Sequence, residues 1–222
     1  MTPNQFSFLE QEIISEIDER RDLMLRLKVL LKRIQLDMDK QLFLSYSIPI
    51  VYSVWEGFVK AAFQIYIKEL NKLRINIDDI CDPIFVYHME SSFPQLKKYP
   101  QDFKDKVKLF NNLQKTYSNN TLYIYLEVNT ESNVNFKVIN RLLNDFNLAK
   151  IKDYIEPKYS LASELDGFLL KIRNATAHGD KSIVVSEDDL FRAISLVEKL
   201  MDLVFERIRD GYINESYRKP QS

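Results

Sequence analysis

Residues 45–70 read SYSIPIVYSVWEGFVKAAFQIYIKEL, and the fold turns on this stretch. Apolar and aromatic side chains occupy almost every position, so a helix here has no polar face of its own and must be buried on most sides. That makes it the expected centre of the core, with Tyr46, Tyr52, Trp55, Phe58 and Phe63 as packing residues rather than platforms for stacked bases. Pro49 is expected in the first turn, or at a junction with the preceding helix, where a missing N–H is no loss. Glu56 and Lys60 lie four apart on one face. Charge in so apolar a helix is costly unless the two pair or line a cleft.

Upstream, Ile13, Ile14, Ile17, Leu27, Leu30, Leu31, Ile34, Met38 and Leu42 recur in steps of three and four, with charged residues between them. The spacing predicts a long amphipathic helix over about 6–44, its charged blocks forming a solvated face. Downstream, Pro83, Pro94 and Pro100 interrupt any long helix while Asn, Asp and Ser accumulate. An irregular insertion is expected over about 73–136, with Lys-rich stretches alternating with short apolar ones. Within it, residues 121–128 (TLYIYLEV) have strand character between Asn-rich turns, which suggests a two-stranded element.

Val138, Leu142 and Phe146 predict a short helix, and Pro157 ends the connection that follows. Leu161, Leu165, Phe168, Leu169 and Ile172 form the stripe of a second central helix, stopped by Gly179 in a left-handed conformation. Ser186, followed by Glu187, Asp188 and Asp189, is an N-cap with an acidic first turn, opening a last amphipathic helix to about 213. The tail YRKPQS is expected to fray. The reading is a mainly α single domain over 1–222, with core helices in 6–72 and 137–213.

Composition narrows the function. Only four Gly occur in 222 residues, which argues against Gly-lined phosphate loops and Gly-turned barrels. With 31 Lys+Arg against 32 Asp+Glu the net charge is −1, so bulk basicity cannot drive nucleic-acid binding and any RNA contact must be local. The single Cys81 forms no internal disulfide, and with two His there is no recognisable Cys/His zinc framework. No metal or other cofactor is expected. The start MTPNQFSFLEQE has neither a basic beginning nor an apolar run, and no run of about 18 uncharged apolar residues occurs, so no membrane association and a cytoplasmic location are expected.

The string Arg173-Asn174-Ala175-Thr176-Ala177-His178-Gly179-Asp180 ends the second central helix. An arginine offers a permanent planar cation that fits a phosphate, and a histidine is the side chain best suited to move protons near neutral pH. Cleaving RNA without a metal needs both: a base for the 2'-hydroxyl and a cation for the charge gathering on phosphorus. His178 also reads as a plain helix C-cap, and Arg173 as a partner for Glu164 or Asp166. His88 reads as structural or surface, and Cys81 as without a role.

Arg173-x4-His178 at a helix end, with LLKIRNATAHGD followed by a linker and a long last helix, resembles the motif of the HEPN superfamily. VYSVWEGFVKAAFQIY is similar to the second helix of its MAE-type branch. The likeness covers the two N-terminal helices and the last two, and leaves residues 71–135 unexplained. It implies a HEPN-like up-and-down bundle dimerised through the motif-bearing helices, and a metal-independent endoribonuclease of toxin-antitoxin or defence type. Arg173 and His178 would be catalytic, with Asn174, Glu56 and Lys60 in support, cleaving an RNA substrate through a 2',3'-cyclic phosphate at a site shared by two copies. An antitoxin protein is a further partner of that reading. The alternative is a catalytically inactive dimeric module that binds RNA, nucleotide or a partner protein.

Overall fold

The computed structural model describes residues 3–131, 133–156, 159–180 and 183–220. The first break in the chain comes earlier than the apolar spacing suggests. Helix α1 spans Pro3–Leu31 and α2 spans Asp37–Lys72, so Pro49 lies well inside α2 rather than at its start. Asp37 and Asp39 sit in the first turn of α2, where the helix dipole favours them. Its central residues are buried almost without interruption, Trp55, Phe58, Val59, Ala62 and Phe63 among them. Tyr46 departs from the expected core and stands exposed.

Among the described helices α2 has the length and hydropathy to cross a membrane, but half of that window is buried inside the protein. It packs against α1, α6 (Lys171–Ala177) and α7 (Glu187–Ile213), and these helices enclose the main core. Long-range ion pairs fix their order: Arg21 of α1 holds both carboxylate oxygens of Asp202 on α7 at 2.7 and 2.8 Å, and Lys40 of α2 pairs with Glu187. Ser186 and Asp189 form the full reciprocal capping box that starts α7. Helix α6 continues directly from a π-helical stretch, Ser163–Leu170, whose Glu164 holds Arg192 of α7 through two bonds.

Between α2 and α5 (Phe136–Asp145) the prolines divide the chain into short helices rather than abolishing helix. Pro83 lies in the first turn of α3 (Asp82–Ser92), a single 3-10 turn covers Pro94–Leu96, and α4 (Phe103–Tyr117) begins after Pro100 with Asp102 capping Lys104 N. TLYIYLEV alternates exposed and buried side chains as a strand would but forms no two-stranded element; one isolated bridge joins Asn76 to Thr121. Asn71 of α2 takes the place of a neighbouring strand: its amide oxygen accepts from Ile124 N at 2.7 Å and its amide nitrogen donates to Ile124 O at 3.0 Å. The antiparallel pair occurs elsewhere, between β1 (Tyr154–Glu156) and β2 (Tyr159–Ser160). Pro157, expected to end this connection, lies outside the described residues.

The tail is not frayed over its described part. Tyr217 is buried, its carbonyl accepts from Cys81 N, and Lys219 N donates to Asp79 O. The edge-on and tilted contacts of the Tyr66, Tyr212 and Tyr217 rings explain why: burying the last aromatic draws the following backbone onto the loop before α3.

Removing the Asn71 amide leaves the N–H and C=O of buried Ile124 without partners. Asn71→Ala should lower stability by about 1–3 kcal/mol in a urea titration. A midpoint unchanged from wild type would show that Ile124 is satisfied in some other way.

Candidate active site

The absence of an N–H at Pro49 reaches directly to the motif. In a regular helix that group would donate to the carbonyl of Ser45, four residues back. Here the hydroxyl of Thr176, from α6, donates to Ser45 O at 3.4 Å. At 3.4 Å the bond is weak, but it puts the end of α6 against the one gap in the α2 backbone ladder that its own sequence creates.

Above this point Arg173 is half-buried. Its guanidinium lies 5.0 Å from the centroid of the Tyr52 ring, and Nη1 donates to Asn174 Oδ1 at 2.8 Å. Ring face and amide oxygen together hold the fork in one plane. Pairing with Glu164 or Asp166 does not occur: Glu164 is taken by Arg192, and Asp166 accepts from Phe136 N. Tyr52 is itself fixed, since its hydroxyl accepts from Val134 N at 2.7 Å. Burial, opposed by that hydrogen bond, pushes the phenol up to about 12; the Glu56 carboxylate also raises it and the Arg173 cation opposes.

His178 follows the last turn of α6, exposed, and its backbone N–H bonds Asn174 O. Gly179 adopts the left-handed conformation with φ of 73°, Gly179 N donates to Thr176 O, and Asp180 N donates to Ala175 O. This double closure ends the helix cleanly and leaves the imidazole facing solvent. Asn174 thereby serves both neighbours, holding Arg173 by its side chain and His178 by its carbonyl.

Glu56 and Lys60 are located elsewhere. Glu56 accepts from Thr130 at 3.3 Å rather than pairing with Lys60, and both line a groove of about 1290 Å³ between α2, α3, α5 and residues 125–131. Neither Arg173, Asn174 nor His178 lines that groove. Glu56 still stands one helical turn from Tyr52, so the phenol separates the groove from the arginine. His88 is buried in α3, and burial lowers its pKa. The Cys81 thiol is buried and pushed up by that burial, which keeps it protonated. Among the described residues no group of three or more His, Cys, Asp or Glu is arranged to hold a metal ion.

A family model described as HEPN_MAE_28990-like HEPN matches residues 9–217. The chain belongs to this HEPN family. No curated protein and no solved structure matches it. The match runs through residues 71–135, which the sequence motifs alone left unexplained, so α3 and α4 belong to the HEPN domain as this family builds it. Two residues that the motif does not name, Tyr52 and Thr176, do the positioning. The signal for Thr176 was available in the sequence as Pro49 itself, which frees a carbonyl four residues earlier.

If Thr176 satisfies that carbonyl, its worth depends on the proline. Thr176→Val should cost about 0.5–1.5 kcal/mol in the natural background and nearly nothing in a Pro49→Ala background, where the helix restores its own bond. An equal cost in both, measured by denaturant unfolding, would assign Thr176 another role.

Proposed function

We propose that this HEPN domain is a metal-independent endoribonuclease of a toxin or defence type, whose site is completed by a second copy of the chain. The observation that carries the reading is the pairing of a held cation with an exposed imidazole: Arg173 fixed by Tyr52 and Asn174, and His178 at the open end of the same helix. On this reading His178 takes the proton from a 2'-hydroxyl, the freed oxygen attacks phosphorus, and Arg173 balances the charge on the phosphorane. The partner subunit's His178 returns a proton to the departing 5'-oxygen. The products are a 2',3'-cyclic phosphate and a 5'-hydroxyl.

The need for a second copy has support on the surface beside the motif. Met38, Leu42, Tyr46 and Ile50 form a row of exposed apolar side chains at i+4 steps along the first half of α2, Met38 being 87% exposed. Ser45, whose carbonyl Thr176 contacts, precedes Tyr46 of the row in the chain. Exposed Val184 lies next to Val185, whose carbonyl accepts from Gln41 of α2. Such a ridge is suited to the grooves of an identical helix related by a two-fold axis. The alternative, an inactive binding module, has its own support in the same contacts, since a guanidinium already bonded to Asn174 and stacked on Tyr52 is also a structural strut.

The two readings part in one assay. With unstructured RNA in EDTA the wild type should cleave, and Arg173→Ala and His178→Ala should each lose about 10²-fold or more in rate. Equal activity in all three would remove the catalytic assignment, and no cleavage by any would favour the inactive module. Separately, Leu42→Glu with Tyr46→Glu should convert a dimer to a monomer by sedimentation and abolish cleavage together with it; a dimer that survives would move the interface away from α2.

A further inference from the structure

Among the described α-helices α4 is the least embedded for its length, with Leu109 its one buried side chain in 15 residues. Its leucines turn inward, Leu109 buried and Leu113 half-buried, while Val107 and the aromatic residues are exposed, the Tyr117 ring also meeting Phe85 at 5.7 Å between centroids. Phe103, Phe110 and Tyr117 are exposed, Phe103 by 78%. They are spaced by seven and fall within about 40° of one another on a 3.6-residue helix. Lys104, Lys108 and Lys115 also fall within about 40°, on a second stripe about 140° from the rings. All three are exposed, and no ion pair among the described residues engages them. Lys106 covers the ring of Tyr99 at 5.5 Å, and Lys98 and Tyr99 share a hollow with Lys108 and Leu109. Between Lys97 and Lys115 six lysines face two aspartates.

We propose that α4 is a docking rail for single-stranded RNA, with phosphates on the Lys104, Lys108 and Lys115 stripe and bases against the Phe103, Phe110 and Tyr117 rings. A strand lying over Asn111 and Gln114, which separate the stripes, reaches both. Flat rings beside cations that no ion pair engages are what sequence-tolerant single-strand binding requires. Aromatic rings beside lysines also suit a lipid interface, so a membrane surface is the competing outcome of the test. The choice of polyanion rests on the ribonuclease reading, but the rail and the motif are separate parts of the chain.

The test is therefore binding, in the non-cleaving His178→Ala background, of a fluorescent unstructured oligoribonucleotide followed by anisotropy across salt. The unaltered rail should give a falling log affinity against log salt with a slope of about −2, as expected for three phosphate contacts on a single strand. Lys104→Gln, Lys108→Gln and Lys115→Gln together should weaken binding at least tenfold and flatten the slope. Phe103→Ser, Phe110→Ser and Tyr117→Ser together should weaken it at unchanged slope, with circular dichroism reporting retained helix. Binding and slope that survive the lysine changes would overturn the proposal, as would flotation with phosphatidylserine vesicles that depends on the same residues while RNA binding does not. No cleavage by the wild type with intact rail binding would sink the catalytic reading alone, and wild-type cleavage with no contribution from α4 to binding would sink this one alone.

Discussion

Pro49 imposes the constraint on which the site depends. A helix as apolar as α2 satisfies its backbone internally between its two ends, except at the carbonyl the proline leaves behind. An orphaned acceptor half-hidden in a bundle asks for a donor from outside, and the hydroxyl of Thr176 supplies it. Once α6 is seated there, Arg173, one turn before Thr176 on the same helix, meets the ring of Tyr52, one turn past Pro49 on α2. The two contacts share a geometry: residues 45, 49 and 52 lie along one side of α2, and 173 and 176 along one side of α6. The proline thus acts as a docking signal rather than a helix breaker.

The same logic explains why so many extended residues form almost no sheet. Extended backbone has to bond something, and here it bonds side chains. Asn71 serves both polar groups of Ile124, and Asn140 does the same for Ile151 at 2.8 and 3.3 Å. Val134 is held from two residues at once, its N–H by Tyr52 and its carbonyl by the Trp55 indole at 2.9 Å. Tyr52 and Trp55 are neighbours on one face of α2, so a buried helix with polar-tipped aromatics binds an irregular segment as tightly as a strand would. TLYIYLEV has every local mark of a strand, and its side chains alternate between exposed and buried as a strand's do; what its sequence could not contain was the identity of its partner, an amide 53 residues away.

Legibility followed the range of the interaction. The capping box of Ser186 and Asp189, the left-handed Gly179 and the apolar stripes of α5 and α7 are short-range and were readable from the residues themselves. So was the motif, because its parts lie on one helix end. Whether Glu56 and Lys60 join it depended on which way a nearly uniform apolar helix is rotated in its bundle, and no periodicity records that. The tail differs from its composition for a related reason: YRKPQS is mostly polar, yet the single buried Tyr217 ring, tilted against Tyr212, is enough to hold its described part.

Net charge is where an average misleads most. The groove carries Glu56, Asp82, Glu90, Glu127, Glu131 and Asp145, and two of its three cations are already engaged, Arg141 with Glu131 and Asp145 and Lys97 with Glu90. A phosphodiester has little reason to enter it. The lysines of α4 have no such partners, and at physiological salt fields decay over about 8 Å, so each patch acts on what touches it and not on the sum of the chain. A total of −1 is compatible with a surface that attracts a polyanion in one place and repels it in another. The composition therefore excluded a protein basic all over, while the segregation of charge in space leaves room for one that holds RNA by a single helix.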